Sequence, residues 1–269
     1  METAYRQFFA LTHEPFAADV AHTDILVTPA VAAVQDRIHY AMRLGALALV
    51  TGEIGSGKST ALRYALGGLH PSEYRVLAVT ASAGSILELY RQILAALGHD
   101  PAGSSRARMT HSIRGEVLEL VQGKKMKTVL VIDEASLLRL EVFAELHTLT
   151  QFEHDSKPYL PMVLAGQANL IDHLRYRTGL ALASRVVARS HLKGIDQKTM
   201  EDYLRHHLAL AGVERMLFDE AAVTAIHQGS GGLFRKANHL ARGALVAAAH
   251  HKAALVCAEH VRLAATELC

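Results

Sequence analysis

The sequence predicts an α/β sandwich around a five-stranded parallel sheet, followed by a small all-helical region. Three observations carry that expectation. Short, almost wholly apolar runs alternate with stretches of helical periodicity, as in parallel sheets buried on both faces. A glycine-rich loop joins the first of these runs to a helix. From about residue 194 the strand-like runs stop and Ala-rich helical periodicity takes over.

The runs occupy residues 46–50, 75–80, 128–133, 161–166 and 187–192. Each is bounded by turn-forming or polar residues and is too short for a helix. Ile86, Leu89, Tyr90, Ile93, Leu94 and Leu97 recur at helical spacing between the second and third runs, marking a crossover helix. Beyond the last run, residues 199–210, 220–227, 233–248 and 258–268 read as helices. The chain of 269 residues therefore divides into a core over 1–193 and a helical lid over 194–269.

The loop is Gly52-Glu53-Ile54-Gly55-Ser56-Gly57-Lys58-Ser59-Thr60, a full match to G-x-x-x-x-G-K-[ST]. Its glycines let successive N–H groups face one concavity, which the following helix N-terminus makes attractive to phosphate. Lys58 adds a mobile charge for the β- and γ-phosphates, and the Ser59 hydroxyl suits Mg²⁺. Hydrolysis also needs acids at another strand tip. Val129-Leu130-Val131-Ile132 runs into Asp133-Glu134, with Asp133 placed to hold Mg²⁺ and Glu134 to orient or deprotonate water. Adjacent Asp-Glu is the pattern of ATPases with an additional strand, and no Asn-Lys-x-Asp run for guanine is present, so ATP is the expected nucleotide.

Composition narrows the rest. Half of the residues are apolar and 20% charged, enough for a buried sheet, and a net charge of +2 does not by itself select nucleic acid. Two cysteines, Cys257 and Cys269, exclude a disulfide framework and suggest a reducing compartment. The first ten residues lack a secretory apolar core, and no apolar stretch approaches a membrane span, so the expected location is the cytoplasm. Among 17 histidines, the pairs His206-His207 and His250-His251 are adjacent and diverge on a helix, which argues against a metal centre.

With these residues in hand the chain resembles an AAA+ ATPase, a P-loop NTPase with a helical lid, and within that class the ExeA/TniB group. The opening Tyr5-Arg6-Gln7-Phe8-Phe9-Ala10-Leu11 with Glu14-Pro15-Phe16 is similar to that group's start, and Leu164-Ala165-Gly166-Gln167 to its strand ending in Gly-Gln. The resemblance implies that Gln167 is the sensor-1 residue contacting the γ-phosphate or attacking water. It also implies an arginine finger at Arg185 in Leu182-Ala183-Ser184-Arg185-Val186, although Ser184 replaces the group's Gln and Arg189 or Arg177 compete. In Gly231-Gly232-Leu233-Phe234-Arg235-Lys236-Ala237-Asn238, Arg235 becomes the sensor-2 residue, with Phe234 and Ala237 where Pro and Ile are usual. Phe8, Phe9 and Phe16 are candidates for the adenine pocket or for plain core packing.

A finger acting in trans implies head-to-tail self-assembly into a ring or helical filament. From its transposition branch the resemblance implies a regulator that selects double-stranded DNA and recruits a transposase. Backbone contacts would come from Arg106, Arg108, His111 and Arg114, at the start of a helix after Gly103-Ser104-Ser105, and from Lys124, Lys125 and Lys127. The other branch implies an ATPase of a secretion or envelope assembly system. The sequence ends directly after the lid, without that branch's membrane span and wall-binding module, and on this ground the DNA reading is expected first. A slow ATP-gated DNA-binding switch is the third alternative.

Overall fold

The computed structural model describes residues 2–99 and 105–266. Gly103, Ser104, Leu268 and Cys269 lie outside the described residues. In chain order the elements are α1 (Glu2–Phe8), α2 (Pro29–Leu44), β1 (Leu47–Gly52), α3 (Lys58–Gly67), β2 (Tyr74–Thr80), α4 (Ile86–Leu97), α5 (Arg106–Leu118), β3 (Lys127–Asp133), α6 (Leu140–Leu149), β4 (Met162–Gly166), α7 (Asn169–Arg175), α8 (Leu180–Ala183), β5 (Val186–Leu192), α9 (Gln197–Leu210), α10 (Glu220–Ser230), α11 (Phe234–His250) and α12 (Ala258–Thr266). They form two compact units. One comprises residues 29–52 and 58–192; the other comprises the N-terminal segment to Thr28, residues 53–57 and the chain from Lys193.

The first unit holds a five-stranded sheet in the order β2-β3-β4-β1-β5. All four pairings are parallel, as the apolar runs require. Side chains alternate across it. Leu47, Leu49, Leu77, Leu130, Ile132 and Leu164 join a cluster with α4, α5 and α6, whereas Ala48, Val50, Val129, Val131, Val163 and Ala165 pack with α2 and α3. The helical spacing of α4 buries Leu89, Tyr90, Ile93 and Leu94. Gly98 closes that helix in the left-handed region, and Ser105 caps α5 by accepting from the Arg108 N–H.

The second unit is helical. Asp196 and Asp219 accept the N–H groups of Thr199 and Ala222, capping α9 and α10. On α11, Ala237, Leu240, Ala241, Ala244, Leu245 and Ala248 face the apolar cluster, and the small residues permit close approach of α12. Gly243 marks the tightest point, since a Cβ there would meet the Ala264 Cβ at 2.7 Å. Tyr5, Phe9, Leu11 and Phe16 belong to this same cluster, so the N-terminal segment grouped with the core in the sequence reading buries these side chains among the helices, while Phe8 stays exposed. Among the described residues, no helix is long and apolar enough to cross a membrane.

Candidate nucleotide site

β1 is buried along its whole length and ends at Gly52, where the phosphate loop begins. Lys58 opens α3, is 6% exposed, and donates from Nζ to the Gly52 carbonyl at 3.0 Å. Within the sheet unit the Ser59 hydroxyl donates to Asp133 Oδ2 at 2.8 Å. These are the two groups expected to hold a divalent cation, and the fold places them against each other from residues 74 positions apart. Asp133 also accepts the Glu134 N–H through Oδ1 at 2.8 Å, which orients its carboxylate.

Glu134 sits at φ 52°, the left-handed region that a non-glycine residue adopts at a cost of roughly 1–3 kcal/mol. The turn is held from its far side. Leu137 donates to the Glu134 carbonyl at 2.9 Å, and Ser136, 6% exposed, accepts the Gln167 N–H at 3.2 Å. The Glu134 carboxylate and the Gln167 side-chain amide have no hydrogen-bond partner among the described residues, and both are half-buried. The Gln167 amide can donate to a phosphate oxygen or a water, and the Glu134 carboxylate can accept from a water.

The loop segment 53–57 belongs to the helical unit. Gly55 and Gly57 take φ of 83° and 91°, so neither position accepts a side chain without strain. A Cβ on Gly55 would meet the Arg235 Cβ at 2.8 Å, and one on Gly57 would meet the Phe234 ring at 3.2 Å. The Arg235 N–H donates to the Gly55 carbonyl at 3.3 Å. Arg235 and Lys236 thus occupy the first turn of α11, whose Leu233 N-cap supplies no side-chain hydrogen bond. Two cations at an uncapped helix N-terminus oppose the helix dipole, an arrangement that an anion would relieve. Ser56 is 2% exposed, and its Oγ has no hydrogen-bond partner among the described residues. An orphaned buried hydroxyl between two left-handed glycines fits a loop built to receive phosphate.

Arg185 is already engaged. Its Nη2 pairs with Asp155, and its Nε donates to His147 Nδ1 at 3.2 Å. Burial first, and then the Arg185 charge, hold His147 below the ordinary histidine range, so its Nδ1 is an acceptor at neutral pH. Asp155 reaches the guanidinium from three consecutive left-handed residues, Glu153, His154 and Asp155. The competing Arg177 and Arg189 are exposed and without a polar partner among the described residues. Ser136, His147 and Asp155 were missed by sequence reasoning. Only Ser136 carried a signal, its place two residues after Glu134.

The other candidates scatter. Phe9 and Phe16 are 1% and 2% exposed in the helical cluster, with Phe16 stacked on His207 at 5.4 Å, so packing accounts for both. Arg106 pairs with Glu145 at 2.6 Å; Arg114 donates to the Thr148 carbonyl and lies over the Phe152 ring. Lys127 Nζ lies over Tyr74. The side chains of Arg108, His111, Lys124 and Lys125 stay exposed without a polar partner among the described residues.

Residues 42–174, the stretch with the phosphate loop and the Asp133-Glu134 tip, match the family model described as an AAA domain. The chain carries an AAA domain. General secretion pathway protein A of Aeromonas hydrophila is 32% identical over 252 residues, covering 91% of this chain and 45% of that protein, so the chain spans about half of that relative's length. This bears out the ExeA-type resemblance. Among solved structures, Cdc6p of Pyrobaculum aerophilum has a TM-score of 0.75 at 15% identity, covering 94% of this chain and 70% of that one. The Aeropyrum pernix ORC1 protein, solved in complex with DNA, has 0.69 at 18% identity, covering 94% and 68%. At such identities the likeness speaks for the fold, the α/β P-loop NTPase fold of AAA+ proteins.

Proposed function

We propose that this AAA protein binds ATP with Mg²⁺, hydrolyses it, and uses the cycle to control head-to-tail self-assembly. The observation that carries the reading is the 2.8 Å Ser59–Asp133 contact beside the unpartnered Glu134 carboxylate. In this reading Lys58 and the loop N–H groups bind the phosphates, and Ser59 and Asp133 hold the cation. Mg²⁺, when bound, supplies charge neutralisation to the phosphates. Glu134 takes the proton of the attacking water, Gln167 orients that water, and Arg235 reads the γ-phosphate. Arg185 serves a neighbouring subunit, which requires it to leave Asp155 and His147.

The work driven by this cycle is proposed to be on duplex DNA, with the protein selecting a target and recruiting a transposase. The resemblance to the transposition branch supports this, as does the shared fold with ORC1, a protein solved in complex with DNA. Arg108, His111, Lys124 and Lys125 are the available backbone contacts. A second reading, an ATPase of a secretion or envelope system, is favoured by the 32% identity to general secretion pathway protein A.

ATPase rates and electron microscopy with a slowly hydrolysed ATP analogue, with and without duplex DNA, separate the two. DNA-coating assemblies that disappear as salt rises are the expected result. Absence of DNA binding in every nucleotide state sinks the DNA reading and leaves the secretion reading. Absence of ATP turnover in every condition sinks both.

A further inference from the structure

The register between β3 and β4 runs through Leu130↔Met162, Val131↔Val163 and Ile132↔Leu164 and then stops. Past Ile132, β3 stays with β2: Thr80 remains in register with Asp133, and the Ala81 N–H donates to the Asp133 carbonyl at 2.8 Å. The end of β4 is thereby left without a backbone partner on the β3 side, where the Gln167 N–H would otherwise be unsatisfied. The Ser136 hydroxyl takes that N–H at 3.2 Å.

The contact is tight on both sides. Gly166 would bring a Cβ to 2.8 Å from the Ser136 nitrogen and 3.1 Å from its Cβ and Oγ, so only glycine admits this approach. Ser136 is 6% exposed and lies in the short turn Ala135–Leu137, which Glu134 enters in the left-handed region. One side chain thus ties the turn carrying Glu134 to the backbone carrying Gln167.

We propose that Ser136 is a positioning residue for Gln167, its hydroxyl replacing the missing β3–β4 rung and fixing the sensor amide relative to Glu134. The inference rests on the reading of Gln167 as the residue that orients the attacking water. Ser136 touches neither nucleotide nor water in this account; it acts through the Gln167 main chain. Misplacing a reactive group by about 1 Å costs on the order of a hundredfold in rate, and loss of one neutral hydrogen bond allows a shift of that order.

The test uses the full chain. Ser136→Ala removes Oγ and keeps the Cβ in its packing place. The expected result is a kcat for ATP lowered roughly tenfold to a hundredfold, with the dissociation constant of a fluorescent ATP analogue within about twofold of wild type. Gly166→Ala, which forces the same two segments apart, should reproduce that split between turnover and binding. In a double-mutant cycle with Gln167→Ala, the added Ser136→Ala should cost nothing further, because both changes disable one device. Wild-type turnover in Ser136→Ala alongside a slow Gln167→Ala overturns the proposal and leaves the sensor reading standing. Multiplicative losses in the double variant overturn it too, since Ser136 would then act independently of Gln167. Wild-type turnover in Gln167→Ala sinks the sensor reading, and this proposal with it.

Discussion

At the scale of single residues, the proposed chemistry lies in groups that have no protein partner among the described residues. Glu134 and Gln167 present polar ends with no partner among the described residues, and Ser56 buries a hydroxyl in the same condition. For the buried Ser56 hydroxyl such a state is costly unless a ligand uses it. Glu134→Gln keeps the size of the side chain but removes the proposed base. We expect it to bind ATP at wild-type affinity while turnover falls by at least about a hundredfold, measured by single-turnover hydrolysis beside equilibrium binding. Gly55→Ala should fail differently. Its φ of 83° and its Cβ contact with Arg235 make the loop the casualty, so affinity for ATP drops together with turnover.

At the scale of elements, much of the architecture was legible in the sequence. The apolar runs became β1 to β5: the inner strands β1, β3 and β4 are buried on both faces and so do not alternate, whereas the edge strands β2 and β5 alternate over part of their length, and the spacing in α4 matches its buried face. Asp196 and Asp219 stand where helix caps are needed. What stayed hidden was partnership. Phe9 and Phe16 look the same whichever apolar cluster receives them, and nothing near Arg185 in sequence points to Asp155, which arrives from a left-handed segment 30 residues away. The end of the β3–β4 register, and with it the use of Ser136, depends on how strands splay and is invisible in a linear pattern. One element supplies a further test. His207 on α9 stacks on Phe16, and burial first, then His206, lower its pKa from an ordinary 6.5 to about 4. The folded state therefore binds fewer protons than the unfolded one. Its stability is complete above about pH 6.5 and declines as pH falls towards 4, by up to roughly 3 kcal/mol. Urea midpoints recorded across that window should show the decline, and His207→Phe, which keeps a ring in place, should flatten it. An equal slope in both proteins would assign the acid sensitivity elsewhere.

At the scale of the whole molecule, the proposed role of Arg185 at a neighbouring site would make activity a property of pairs of subunits. A mixing experiment reads this directly. Arg185→Ala subunits keep Glu134, and Glu134→Gln subunits keep the proposed finger, so each is expected to be inactive alone and a mixture to form some complete sites. Recovered ATP turnover on mixing is the expected outcome; two inactive proteins that stay inactive together would remove Arg185 from the reaction. The sheet order adds a constraint of another kind. β1, the strand that delivers the phosphate loop, is flanked only by β4 and β5, whose residues all lie beyond position 160. On a growing chain it therefore emerges long before either neighbour exists, a largely apolar strand with both edges open. Closing such distant pairs is slow, and open strands in waiting are sites of aggregation. Refolding yield should therefore fall with protein concentration well before equilibrium stability does, because the strand that leads into the phosphate loop must wait for both of its neighbours.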